Sequence, residues 1–457
     1  MITVIASFRA RISALFGDAL VRQLTSGSLW SLIIKVASAG LTYIMFVLIS
    51  QSMTASEFGR FGFGFNLGTF LAVVASAGLH TAILRWMPEY DAQGHPDKSR
   101  QALRWSIAVT LMAGLVLLAV AALFVAALQH IPEKAFIFAG LCLILPVAFA
   151  EFFASALRAK GSVIWSQLPR DVLWRLAGIG LAGVAIYRSE PSSAVETLFW
   201  LSAILLLFMV PQIILLWREL VEKDGRTWPD KALAREWSSQ LGPYWGISVI
   251  YASTQYVDVL LVGTFLTAED AGAYFAASRT AGLCALMLVA SNMVSAPLIS
   301  GAFHSGNKNK LQRILRVVSA CISVPTVLIV TGLVIVGKPL LALFDSSFVT
   351  AYPAFVVLAV AHGINGICGP MSYVLQLTGH GRNNLIIIAG SYAVGIAAQV
   401  MLIPNFDMVG AALGSGGSII LWNLISWFYC RRYLGIDPTI ISLMPLGPAN
   451  KVDLDAQ

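Results

Sequence analysis

Three charged side chains stand inside apolar stretches of this chain: Lys35, Asp258 and Arg279. The last two flank a short turn. Asp258 lies 8 residues before Leu266 and Arg279 lies 8 residues after Ala271, with the polar run 266–270 between. In an antiparallel helical hairpin this symmetry puts both charges at one depth, roughly 12–15 Å from the turn. A hydrocarbon core is about 30 Å thick, so that depth is near its middle. A charge there costs about 2.5–3.5 kcal/mol and is kept only against a partner or a wet cavity. Two readings of Arg279 stand: it offers a guanidinium to an anion in a cavity, or it neutralises Asp258 and locks the hairpin. Asp258 has a further option, as a protonation site that couples transport to a proton gradient. Lys35, about 10 Å in from one end of its helix, faces the same cavity or snorkels to the headgroups.

The elements that hold these residues are membrane helices. The chain has 457 residues, of which 58% are hydrophobic and 12% charged; soluble domains run near 25% charged, so this is an all-α polytopic membrane protein. Twelve apolar segments reach spanning length: 28–50, 62–84, 105–127, 135–156, 173–187, 197–217, 243–265, 271–299, 314–336, 351–375, 384–404 and 408–430. The fifth is short, and an earlier start near Trp165 is open. Residues 1–27 carry apolar positions at helical spacing with Arg9, Arg11 and Arg22 among them, which predicts an amphipathic interfacial helix. Lysine and arginine follow the loops on one side. Arg60, Lys134, Arg188 and Lys338 fall outside, Lys35 and Arg279 fall within spans, and the other 24 of the 30 lie on the side of the N-terminus. The positive-inside rule makes that side cytoplasmic, with both termini there. The net charge of +7 is thus a topology signal and implies no nucleic-acid partner.

The two halves echo each other. Residues 54–63 (Thr-Ala-Ser-Glu-Phe-Gly-Arg-Phe-Gly-Phe) after the first span match 267–276 (Thr-Ala-Glu-Asp-Ala-Gly-Ala-Tyr-Phe-Ala) after the seventh, at an offset of 213. A second echo joins 157–161 to 375–379. Six helices per repeat is an even number, so the repeats enter the membrane the same way and relate by an axis along its normal. The division expected is an N-terminal lobe over 28–217, a cytoplasmic linker over 218–242, a C-terminal lobe over 243–430 and a tail over 431–457.

Several of these patches resemble a known family. Thr-Ala-x-Glu-Phe-Gly-x-Phe-Gly, the run 78–90 (Gly-Leu-His-Thr-Ala-Ile-Leu-Arg-Trp-Met-Pro-Glu-Tyr), Asp258-x-Leu-Leu-x-Gly, and Gly410-Ala-Ala-Leu-Gly with its basic stop at Arg431-Arg432 are similar to the Wzx-type oligosaccharide flippases. These belong to the multidrug/oligosaccharidyl-lipid/polysaccharide exporter superfamily. Val259 departs from the pattern, which often has a basic residue there. The resemblance implies two six-helix lobes around a central cavity with alternating access. It implies an undecaprenyl-diphosphate-linked oligosaccharide as cargo, moved from the inner to the outer leaflet of a bacterial inner membrane for surface polysaccharide synthesis. Membrane lipids surround such a protein, a polysaccharide polymerase and a chain-length regulator are candidate partners, and the monomer is the expected working unit.

On that reading Arg279, Lys35 and Asn66 (the repeat partner of Arg279) line the cavity and meet the diphosphate or anionic sugars, since guanidinium and ammonium groups replace its lost hydration. Arg85 with Glu89, and Glu151 with Arg158, sit at cytoplasmic helix ends, where they anchor the helices or gate the mouth of the cavity. A cation-coupled drug antiporter of the same fold is the first alternative; it needs a cavity acid that the first-half spans lack except at Glu151. A membrane glycosyltransferase or polymerase needs acids or histidines on a large outer loop, and the outer loops here are short. No nucleophile constellation, phosphate loop or metal-ligand spacing occurs, and the five cysteines sit in apolar stretches. No enzyme activity, cofactor or metal is expected.

Overall fold

The computed structural model describes residues 18–127, 134–221, 228–305 and 308–439. The amphipathic segment over residues 1–17 and the tail beyond 439 lie outside them. Every regular element among the described residues is helical. The first half comprises α1 (Asp18–Gln51), α2 (Ala55–Ala75), α3 (Leu79–Ala92), α4 (Pro96–Ala127), α5 (Ala135–Leu141), α6 (Ile144–Ala159), α7 (Val163–Leu168), a π-helical turn at Pro169–Leu173, α8 (Trp174–Arg188) and α9 (Ala194–Leu215). After the short α10 (Trp217–Val221) come α11 (Lys231–Phe265), α12 (Ala268–Gly282), α13 (Leu286–His304), α14 (Lys308–Ile335), α15 (Gly337–Ala342), α16 (Tyr352–Ile367), α17 (Met371–Leu377) and α18 (Gly381–Tyr429). Nine helical stretches among the described residues are long and apolar enough to cross a membrane. The last of them bends sharply at Asp407 (φ 49°, ψ −136°), three residues after Pro404. Proline withholds an amide from the helical ladder, and the chain turns there.

Two of the helices run across expected segment boundaries. Residues 18–27 continue straight into the first span as part of α1, and residues 231–242, expected as linker, form the first turns of α11. Burial explains the second case. Trp237 on α11 is fully buried, stacks on Trp86, and donates its indole N–H to the Tyr90 hydroxyl at 2.8 Å.

The repeated Thr-Ala-acid motif is a helix start. Thr54 accepts from the Glu57 amide at 3.3 Å to cap α2, and Thr267 forms a capping box with Asp270 to start α12. Each satisfies amides that the first turn leaves without partners. These two helices then cross in register. A Cβ on Gly59 would overlap the Ala268 carbonyl oxygen, and one on Gly272 would lie 3.0 Å from the Gly59 nitrogen and 3.2 Å from the Ala55 carbonyl oxygen. Gly59 and Gly272, like Ala55 and Ala268, are 213 residues apart, so the sequence repeat is also a contact in space. Around the crossing pack Phe46, Phe58, Phe61 and Phe275, all buried, with Phe46 and Phe275 edge to face at 5.0 Å. Such pairs add about 0.5–1.5 kcal/mol to area burial. We expect Gly59→Ala to lower stability by about 2–3 kcal/mol, because crossing backbones must separate. Gly40→Ala, with open space around it, should cause no loss; thermal melting of both variants in detergent measures the difference.

Candidate functional site

The α2–α12 crossing places Arg279 beside its own repeat partner. The Arg279 guanidinium donates through Nη2 to Asn66 Oδ1 at 2.9 Å, and Asn66, fully buried, is fixed by donating to the Gly62 carbonyl at 2.6 Å. Three rings surround the cation: Phe275 at 4.9 Å, and Phe46 and Tyr256 each at 5.8 Å from the guanidinium carbon. Arginine is suited to such a box, since its flat, weakly hydrated cation stacks on aromatic faces. Its Nε carries no hydrogen bond.

Asp258 does not pair with Arg279, although both belong to one hairpin. Its Oδ1 accepts from the Tyr392 hydroxyl and from Gln399 Nε2, both at 2.9 Å and both on α18. The shared depth read from the turn says nothing of azimuth: side chains rotate about the helix axis along α11 and α12, and these two leave in different directions. The ion pairs among the described residues include neither group.

Lys35 reaches a different acid, Asp171. The Asp171 side chain is only 3% exposed and takes three cations: Lys35 at 2.9 Å, and Arg170 and Arg175 at 3.2 Å each. Arg175 also donates to the Arg170 carbonyl at 2.8 Å and to the Thr42 hydroxyl on α1. Arg170 reaches Glu151 on α6, so Glu151 pairs with Arg170 and not, as expected, with Arg158; Arg158 donates to Ser155 at 2.9 Å instead. Near Glu151 a small cavity is lined by Ser76 and His80, and His80 faces Ser76 at 3.1 Å and Ser248 of α11 at 3.4 Å. Arg85 and Glu89 pair at 3.1 Å on the exposed face of α3.

The arrangement can hold an anion. Lys35, Arg170, Arg175 and Arg279 outnumber Asp171 and Glu151, and Lys35, Arg170 and Glu151 keep part of their surface accessible.

Residues 24–303 match the family described as polysaccharide biosynthesis protein. The chain belongs to that family. The resemblance drawn from the sequence patches is thereby borne out. Among curated relatives, the chain is 24% identical over 366 residues to the succinoglycan biosynthesis transport protein ExoT of Rhizobium meliloti (strain 1021), covering 77% of this chain and 69% of that one. It is 22% identical over 430 residues to a protein of Haloferax volcanii named "Probable low-salt glycan biosynthesis flippase Agl15", covering 91% and 85%. Its fold is similar to that of an inward-facing multidrug resistance MATE family transporter of the MOP superfamily (TM-score 0.71, 14% identity, 88% of this chain and 98% of that one).

Within this family member, sequence reasoning missed Arg170, Asp171 and Arg175. The fifth span was expected over 173–187, which leaves Arg170 and Asp171 in a cytoplasmic loop and Arg175 at a helix end. The helical run in fact begins at Val163, and the π turn at Pro169–Leu173 carries Arg170 and Asp171 into the packed interior. Such wide turns are rare and recur at functional sites. The available signal was the apolar stretch from Trp165, which extends the span across all three residues.

Proposed function

We propose that this protein is a non-enzymatic flippase that carries an undecaprenyl-diphosphate-linked oligosaccharide from the inner to the outer leaflet of a bacterial inner membrane, for surface polysaccharide synthesis. The observation that carries this reading is the surplus of cations formed by Lys35, Arg170 and Arg175 around two carboxylates, together with Arg279, whose guanidinium meets no carboxylate among the described residues. A diphosphate gives up hydration on leaving the headgroup region, and guanidinium forks compensate that loss in a directional way. Family membership and the names of the two curated relatives support the same cargo class.

The architecture that goes with it is twelve membrane helices in two six-helix lobes, both termini cytoplasmic, working as a monomer by alternating access. Support for twelve comes from the nine long apolar stretches, the last broken in two at Asp407, and from two further runs interrupted by a π turn at Pro169–Leu173 and a tight turn at Leu283–Ala285. Arg85 with Glu89 is the pair placed to anchor the cytoplasmic end of α3. Deleting the gene tests the function: lipid-linked sugar should accumulate on the cytoplasmic face of the membrane. Single repeat units stranded on the outer face would point instead to a polymerase.

Asp258 is the coupling residue in this scheme. It is a buried carboxylate held by neutral donors alone, Tyr392, Gln399 and Ser415, the setting in which a proton is taken up and released. Asp258→Asn keeps an oxygen acceptor for Tyr392 and Gln399, so the variant should melt within about 1 kcal/mol of wild type. Its transport should lose its dependence on pH. A pH profile identical to wild type removes Asp258 from coupling.

A further inference from the structure

A second cavity, of about 160 Å³, opens in the C-terminal half, and its chemistry differs from that of the cation cluster. Its walls come from α11, α13, the end of α16, α17 and α18, and none of its lining residues is charged. Instead it presents the amides of Asn292, Asn365, Gln376 and Asn423 together with the rings of Tyr251 and Trp422. The amides are held in place: Asn423 donates to Asn365 Oδ1 at 2.9 Å and to the Ile419 carbonyl at 2.8 Å, and Gln376 donates to the Tyr251 hydroxyl at 3.1 Å. Asn292 is only 7% exposed, yet its Oδ1 has no partner. A buried amide oxygen without a donor costs about 1–3 kcal/mol, and a ligand that supplies the donor recovers it.

We infer that this pocket binds the uncharged sugar next to the diphosphate of the cargo, a pyranose bearing hydroxyl or acetamido groups. The inference rests on the flippase reading above. Hydroxyls donate to amide oxygens, an acetamido carbonyl accepts from amide N–H groups, and the apolar face of a pyranose packs on indole and phenol rings. Each competing occupant meets an obstacle. A diphosphate or a uronic acid would bring a charge into a site with no cation to pair it, and a polyprenyl chain would leave the buried Asn292 Oδ1 without a donor. The placement fits a sugar adjoining a phosphate. Tyr251 and Tyr256 lie five residues apart on α11, roughly 7.5 Å along the axis, and the Tyr256 ring lies 5.8 Å from the Arg279 guanidinium carbon.

The test compares lipids that share the carrier and differ in the sugar. The full chain in lipid nanodiscs is titrated with undecaprenyl diphosphate, with the same lipid bearing N-acetylglucosamine, and with the same lipid bearing glucuronic acid. Wild type should bind the N-acetylglucosamine lipid about tenfold tighter than the bare lipid, the worth of one or two neutral hydrogen bonds. The glucuronic acid lipid should gain nothing over the bare lipid. Asn292→Leu and Trp422→Ala should each erase the preference and leave affinity for the bare lipid unchanged, which also shows that the variants are folded. A preference that survives in both variants overturns the proposal, as does equal affinity of wild type for bare and N-acetylglucosamine lipids, or tighter binding of the glucuronic acid lipid. If wild type binds none of the three lipids, the flippase reading fails first and the sugar pocket with it.

Discussion

Arg279→Ala is expected to cut surface polysaccharide at least about thirtyfold while the variant reaches the membrane in wild-type amount. Truncating one side of a desolvated charge contact costs about 2–5 kcal/mol, and the lower end of that range is already this factor. The fold should survive. The α2–α12 crossing is built on Gly59, Gly272 and the phenylalanines around them, and Asn66 keeps its bond to the Gly62 carbonyl when the guanidinium is gone. Arg279→Lys should be intermediate, because an ammonium keeps the charge but loses the planar fork and its stacking on Phe275. Polysaccharide is read from cell extracts and inserted protein from membrane fractions of the same cultures. Normal polysaccharide in the alanine variant would take Arg279 out of the path of the cargo.

Asp171→Ala should be the most destabilising single change at the cation cluster. The Asp171 carboxylate holds Lys35, Arg170 and Arg175 together. Without it, three cations crowd one region with Glu151 alone to offset them. Breaking a buried ionic group by removing one partner costs about 3–5 kcal/mol, chiefly because the remaining charges stay desolvated. Lys35→Ala makes the contrast. The Lys35 side chain is 39% exposed, so water screens the pair and the loss should stay below about 1 kcal/mol. Thermal melting of the two variants in detergent separates these values. Equal losses would mean that Lys35, and not the arginines, is the partner that Asp171 requires.

The sequence carried much of the frame and little of the pairing. Apolar stretches and the 213-residue offset are local or periodic signals, so the helices and the correspondence of α2 with α12 were legible before any coordinates; that these two helices cross each other was not. Contacts set by tertiary packing were not. Lys35 and Asp171 are 136 residues apart, and Asp258 finds its partners 134 and 141 residues away on α18; no spacing rule reaches that far. Where a rule did apply, it told only part of what these residues do. Counting basic residues toward the cytoplasm treated Arg170 and Arg175 as topology markers, but a single carboxylate at position 171 makes their burial tolerable and turns them into part of the interior.

The contact between Asn66 and Arg279 also bears on how such a protein arises. In a symmetric dimer of identical six-helix chains, a position on the twofold axis faces its own copy. Asparagine opposite asparagine can satisfy itself, as donor and acceptor at once. Arginine opposite arginine would set two like charges against each other in a medium that screens them poorly. The pair seen here is open only to a chain whose halves are free to differ. Duplication followed by fusion supplies that freedom, and it lets one half carry the cation while the other supplies the neutral acceptor that holds it.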